Sequence, residues 1–157
     1  MRVSKKAEYA LHTVLYLCVH PDGNFQLGRL ADMQGVSKDY LAKVMQTLSG
    51  IGVVRAHPGV GGGYRLARSP FDISIAEVVR PFESAERVFS CLHERRHCEA
   101  YPCCVINELM EASVARFYEE LERCSFGDLL ETGISGGLKP SWLEAELSRE
   151  KVRSAEQ

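Results

Sequence analysis

Residues 50 to 66 read Gly50-Ile51-Gly52-Val53-Val54-Arg55-Ala56-His57-Pro58-Gly59-Val60-Gly61-Gly62-Gly63-Tyr64-Arg65-Leu66. Gly50 and Gly52 stop any helix that precedes them, and Val53 to His57 predicts a short strand. After the turn residues Pro58 to Gly63, Tyr64-Arg65-Leu66 predicts a second strand, so the stretch is a glycine-rich hairpin flanked by arginines. A phosphate-cradling Walker loop needs Gly-Lys-Ser/Thr followed by a helix, and a dinucleotide loop also runs into a helix. Here the glycines join two strands, which excludes both.

Immediately upstream, Leu27, Leu30 and Ala31 mark a short helix that stops at Gly35, and Val36-Ser37 leads into another whose apolar positions are Leu41, Val44, Met45 and Leu48. Two short helices joined by a tight glycine turn form a helix-turn-helix. Followed by the hairpin, they form a winged helix. The second helix shows Lys38, Asp39, Tyr40, Lys43, Gln46 and Thr47 on its polar face, side chains able to reach base edges and phosphates. Every amphipathic surface helix has a polar face, so charge has to decide. Residues 1 to 70 carry nine Lys/Arg against four Asp/Glu, a balance of +5, whereas residues 71 to 157 carry ten against seventeen, a balance of −7. The basic half suits a polyanion such as double-stranded DNA. Ser37 is expected to cap the reading helix, with Lys38, Tyr40 and Lys43 at the major groove or its phosphates. Arg2, Lys5, Arg55, Arg65 and Arg68 are expected at the DNA backbone, with Gly62 and Gly63 letting the wing approach closely.

Before the helix-turn-helix, Ser4 precedes a run in which Ala7, Ala10, Leu11, Val14, Leu15 and Cys18 recur at helical spacing, ended by His20-Pro21-Asp22-Gly23. Glu8 and His12 share a face of that helix, as a solvated pair also would. After the wing, Ser74-Ile75-Ala76-Glu77 is a capping box opening a helix that Pro81 ends. From Val105 to about Arg123 runs a long helix with Ile106, Leu109, Met110, Ser113, Phe117 and Leu121 on or near one face. That is more apolar surface than its own lobe covers, which reads as a dimerisation helix. Ser125-Phe126-Gly127-Asp128 opens a short helix ending near Gly133, residues 134 to 140 form a linker, and Ser141 to Glu144 caps a last charged helix.

The expected fold class is therefore mostly α with a small β wing: a winged helix-turn-helix plus a long dimerisation helix. Its parts are a DNA-binding domain (1–80), a cysteine-rich loop (81–104), a dimerisation helix with a short helix (105–131), and a tail (132–157) for which partial disorder stays open.

The cysteine-rich loop reads Cys91-Leu92-His93-Glu94-Arg95-Arg96-His97-Cys98-Glu99-Ala100-Tyr101-Pro102-Cys103-Cys104 and holds four of the six cysteines. The opening Met-Arg-Val-Ser-Lys-Lys does not suggest secretion and no run approaches the roughly 20 apolar residues of a membrane span, so a cytoplasmic protein is expected. A cytoplasmic protein keeps thiols reduced, so clustered cysteines point to a metal or cluster site, or to a thiol switch, before structural disulfides. No Ser/His/Asp order appears. His93-Glu94 with Pro102-Cys103-Cys104 lacks the spacing of the zinc deaminases, so the chain is not read as an enzyme.

Gly59 to Arg68, together with Val36-Ser37-Lys38-Asp39-Tyr40-Leu41 and the cysteine loop, resembles the winged-helix iron–sulfur transcription regulators typified by IscR, NsrR and RirA, over roughly residues 1 to 131. The resemblance implies a homodimer on a palindromic operator, a repressor that senses iron, nitric oxide or redox state through a 4Fe-4S or 2Fe-2S cluster. Cys91, Cys98 and Cys104 match its thiolate pattern. Relatives of the IscR kind add a His three residues after the third Cys, where this chain has Asn107; others draw on the first helix of the partner subunit, where the matching residues are Glu8 and His12. One departure bears on the wing: Pro58 stands where the family often has an Arg before the first wing glycine. In the loop, Cys103 is an alternative to Cys104. Zinc is a rival metal, since Cys91, His93, His97, Cys98, Cys103 and Cys104 offer a Cys/His set, although at no common finger spacing. A thiol-responsive regulator, or an adaptor that docks another protein without a cluster, is the remaining alternative. The cysteines Cys18 and Cys124, on apolar helical faces, are expected to be buried packing residues.

Overall fold

Helix α1, Lys5–Val19, starts where the sequence places its cap: the Ser4 hydroxyl accepts the Ala7 N–H at 3.2 Å from an extended Ser4 backbone. The protein is seen here as a computed structural model in which the described residues are 3–59, 61–83 and 103–135. The expectations for Arg2, Val60, Cys91, Cys98, the greater part of the cysteine loop, and 136–157 thus lie outside the described residues. Helix α1 buries Ala7, Ala10, Val14 and Cys18 as its periodicity predicts, but also Thr13, Tyr16 and Leu17, while Leu11 and Leu15 are only partly buried. The reason is its central place. The reading helix, the second strand of the wing, the short helix after the wing and the last described helix all pack against α1, so more than one of its faces is covered.

Helix α2 (Leu27–Gln34) ends at Gly35, whose φ of 65° is left-handed, and α3 (Lys38–Gly50) is capped by Ser37 accepting the Tyr40 N–H at 3.2 Å. Helix α3 buries Leu41, Val44, Met45 and Leu48 at 1% exposure or less, and these close the core beneath α1. Strands β1 (Val54–His57) and β2 (Gly63–Leu66) pair antiparallel with Val54 opposite Leu66 and His57 opposite Gly63. The hairpin is the expected one, except that the first strand starts one residue later and the second one residue earlier. Gly63 joins β2 because it faces His57, and Val53 turns into the core instead of the ladder, its carbonyl still accepting the Ala67 N–H at 3.0 Å. Phe25, before α2, adds a bridge to Tyr64 through bonds of 3.0 and 2.8 Å, which ties the wing to the loop after α1.

Past the wing, a 3-10 turn (Pro70–Asp72) leads to α4 (Ile75–Val79), which Ser74 caps by accepting the Glu77 N–H at 3.2 Å. The Glu77 carboxylate meets Arg68, so the reciprocal half of the expected capping box goes to a different partner. Pro81 sits in a second 3-10 turn, Arg80–Phe82. Helix α5 (Val105–Arg123) has the expected length, and α6 (Phe126–Ser135) begins on a complete box in which Ser125 and Asp128 bond each other reciprocally at 2.6 to 3.0 Å. Backbone bonds Ile75 N to Cys124 O and Phe126 N to Ile73 O, each 3.0 Å, seat α6 on the winged-helix unit. Phe126, 1% exposed, enters the same hydrophobic core as α1 and α3. On α5 the outcome is different: Val105, Ile106 and Leu109 stay 74, 61 and 65% exposed, leaving an apolar face on the first turns of a helix that otherwise has only partial cover.

Candidate nucleic-acid interface and metal-ligand residues

The wing places two like charges side by side. Arg55 and Arg65 are direct cross-strand partners and both are exposed, so they occupy one face of the hairpin. Like charges directly opposite each other destabilise a sheet, so the pair adds nothing to the stability of the hairpin. Its backbone is held by packing inside the wing. A side chain on Gly62 would meet the His57 carbonyl oxygen at 2.3 Å, and one on Gly63 the Phe25 carbonyl group at 2.6 Å. The Asn24 amide also donates to the Gly61 carbonyl at 2.7 Å. The two glycines expected to bring DNA close are thus required first by the protein's own chain.

On α3, Lys38 and Lys43 are exposed, and Ser37 is occupied as the cap. The Lys38 stem lies across the start of α2, its Cε 2.9 Å from where a side chain on Gly28 would begin. Tyr40 is half-buried and packs edge-on against Tyr9 of α1, ring centroids 5.6 Å apart and planes at 84°. Thr13, buried in α1, accepts from the Gln34 amide at 2.7 Å and donates to the Tyr9 carbonyl at 2.8 Å. Helix α1 therefore holds the end of α2 and the start of α3 at once. Arg68 is exposed but committed to the protein: its guanidinium donates to the Gly52 carbonyl at 3.2 Å, the Asp72 carbonyl at 3.0 Å and the Glu77 carboxylate. Lys5 forms an ion pair with Glu8 at 2.6 Å. Sequence reasoning passed over Arg29, exposed on α2 with its guanidinium 5.1 Å from the Phe25 ring centre. Its place beside a buried aromatic was the available signal, but it becomes visible only once Phe25 is known to be in the core.

Of the candidate ligands, Cys104 is half-buried at the N-cap of α5 and Cys103 beside it is exposed. Glu8 is half-buried and His12 exposed, one turn apart on α1. Among the described residues no three His, Cys, Asp or Glu side chains converge as a metal site, and Cys91 and Cys98 lie outside them. Cys103 and Cys104 at the head of α5 are of the thiolate type that iron–sulfur clusters use, and Glu8 and His12 offer a carboxylate and an imidazole on one face of α1. Asn107, 8% exposed, donates to Glu111 at 3.0 Å, while its own carbonyl oxygen finds no hydrogen-bond partner among the described residues. Cys18 is buried as expected, and burial pushes its thiol up to about 12. Cys124 departs from expectation: it is half-buried where α5 ends, and its thiol is raised by that burial and then by the charges of Asp128 and Glu120.

Among the described residues no helix is long and apolar enough to cross a membrane. Of solved structures, the chain is similar to IscR from T. potens, with 23% identity, 92% of this chain and 96% of that one covered, and a TM-score of 0.67. It is similar to Staphylococcus aureus CymR at 23% identity, 82% and 97% coverage and a TM-score of 0.67. CymR of B. subtilis, described as the global cysteine regulator, shares 19% identity over 83% of this chain and 97% of that one, with a TM-score of 0.59. At these identities the likeness establishes the shared winged-helix fold. The family profile described as Rrf2, "Iron-dependent Transcriptional regulator", matches residues 3–132, from the cap of α1 into α6. A match over that span, on a fold with a reading helix and a charged wing, makes the chain a member of the Rrf2 family, a DNA-binding transcription regulator and not an enzyme.

Proposed function

We propose that this regulator is a cytoplasmic homodimer that binds a palindromic double-stranded operator and acts as a repressor controlled by an iron–sulfur cluster. The observation that carries the DNA reading is the opposition of Arg55 and Arg65 on the open face of the wing, beside the exposed Lys38 and Lys43 of α3. In a dimer the two α3 helices enter successive major grooves, with half-sites about 34–36 Å apart. The exposed Val105, Ile106 and Leu109 of α5 supply the apolar surface for a second copy.

The proposed cluster, 4Fe-4S or 2Fe-2S, is held by Cys91, Cys98 and Cys104 and completed by the partner subunit's Glu8, alone or with the partner subunit's His12. When bound, it supplies a redox- and ligand-sensitive group whose loss is the signal. The protein does the rest. Glu8 and His12 are on the helix that holds α2 through Thr13 and α3 through Tyr9, so a ligand bond to α1 bears on the placement of the reading helix. A carboxylate is a more labile iron ligand than a thiolate, as a sensor requires.

The test is anaerobic purification with iron and acid-labile sulfide assays, visible spectra and operator titrations on wild type, Cys98→Ala, Glu8→Ala and His12→Ala. Cys98→Ala should lose iron and sulfide outright, and Glu8→Ala should keep them with an altered spectrum. Colourless wild-type protein without sulfide would defeat the cluster reading. A thiol switch without a cluster is the second reading, favoured by the exposure of Cys103 beside Cys104.

A further inference from the structure

The Ser4 cap of α1 is completed by a residue far away in the chain. In a capping box the third helical residue carries a Glu or Gln that reaches back to the N–H of the cap. Here that position is Ala7, which has no such group. The carboxylate is supplied by Glu83, which accepts the Ser4 N–H at 2.9 Å across 79 residues. The Ser4 hydroxyl donates to the Phe82 carbonyl at 3.2 Å, so both polar groups of the cap are fastened to the same turn. That turn is anchored in its own right: Arg80 pairs with Glu122 of α5 and lies 4.6 Å over the ring of Tyr118. The Tyr118 phenol is raised by burial and then by the negative charge of Glu83, against the opposing effect of Arg80, which puts a carboxylate within electrostatic reach of α5 as well.

We infer that Glu83 is a positioning residue for DNA binding, one that holds the first turn of α1 where its lysines meet the DNA backbone and slackens that hold when the cysteine-bearing stretch changes state. Glu83 immediately precedes residues 84–102, the stretch with Cys91 and Cys98, so the residue that completes the Ser4 cap adjoins the cysteine-bearing stretch in sequence. Lys5 and Lys6 are the first two residues of the helix so held. The coupling to cysteine state rests on the cluster reading above; the positioning of the first turn does not.

The experiment uses full-length wild type, Glu83→Ala, Glu83→Asp and Glu83→Gln, each with its iron and after chelator stripping. The probes are a duplex selected from a random pool by the wild-type protein and a shuffled duplex of equal length. Gln keeps an oxygen that reaches the Ser4 N–H, Asp keeps the charge but is one methylene short, and Ala has neither. Glu83→Ala and Glu83→Asp should bind both duplexes about three- to tenfold more weakly, with a salt slope lower by about one charge. Their ratio of iron-loaded to stripped affinity should fall towards one, while Glu83→Gln retains the wild-type affinity and ratio. Wild-type behaviour of Glu83→Asp, or a Glu83→Gln as weak as Glu83→Ala, would overturn the inference, because charge and not the bond to Ser4 would then be what matters. A wild type whose affinity ignores iron would overturn the cluster reading alone, with the affinity and salt slopes of the four proteins still deciding the positioning role.

Discussion

Lys5 Nζ stands 2.6 Å from Glu8 Oε2 across one turn of α1, so the residue assigned to the DNA backbone and the residue assigned to the cluster are ion-pair partners. An i,i+3 surface pair of this kind contributes only about 0.3–0.5 kcal/mol to stability, and its removal leaves the fold intact. Glu8→Gln removes the carboxylate charge beside Lys5. Compared with the wild type as cluster-free proteins, the variant should melt alike yet bind shuffled duplex DNA more tightly, with a salt slope steeper by up to about one charge. Unchanged salt dependence would place Lys5 away from the DNA.

Arg55 and Arg65 should separate stability from affinity. Because they repel each other across the hairpin, Arg65→Ala is expected to leave the melting temperature unchanged or to raise stability by about 0.2–1 kcal/mol. Affinity moves in the opposite direction: binding should weaken by a similar factor on every sequence, and the salt slope should flatten by about one. A loss confined to one sequence would mean that Arg65 reads a base.

Gly63 provides a steric test of the wing. A methyl group there would meet the Phe25 carbonyl group at 2.6 Å, and backbone does not yield as a flexible side chain would. Gly63→Ala should cost about 1–3 kcal/mol by breaking the bridge between Phe25 and Tyr64, measured by thermal unfolding. DNA affinity should fall with it. Loss of DNA affinity at wild-type stability would show instead that the glycine matters for the approach of DNA.

Cys18 sets a pH dependence. Its folded value of about 12 lies above the ordinary 9.0, so between those values the folded protein keeps a proton that the unfolded chain releases. Stability from this group is complete below about pH 9 and is lost as pH rises through the window, at no more than about 1.4 kcal/mol per pH unit. Wild type should therefore lose stability faster than Cys18→Ala from pH 9 upward, the difference in slope isolating the thiol. Under native conditions an alkylating reagent should modify the exposed Cys103, and Cys18 only on unfolding.

Much of the fold was legible because the interactions that start and stop these elements are local. The caps Ser4, Ser37, Ser74 and Ser125 each bond a backbone N–H three residues on, and Gly35 takes the left-handed conformation at a helix end, so short strings of sequence decide them. The glycine-rich hairpin and the basic residues around it were readable for the same reason, and with them the winged helix and its DNA-binding character. Legibility ended where partners are distant in the chain. Nothing in the run Ser4 to Glu8 announces that the cap's N–H goes to Glu83, that Tyr9 lies edge-on to Tyr40, or that Arg68 spends its guanidinium on Gly52, Asp72 and Glu77. Phe126 was readable only as the start of a short helix after the dimerisation helix, yet it closes the core of α1 and α3. Periodicity tells which face of an element is apolar; which surface covers that face, and which carboxylate meets which N–H, depends on how elements far apart in sequence come to share one core, and only the tertiary structure decided that.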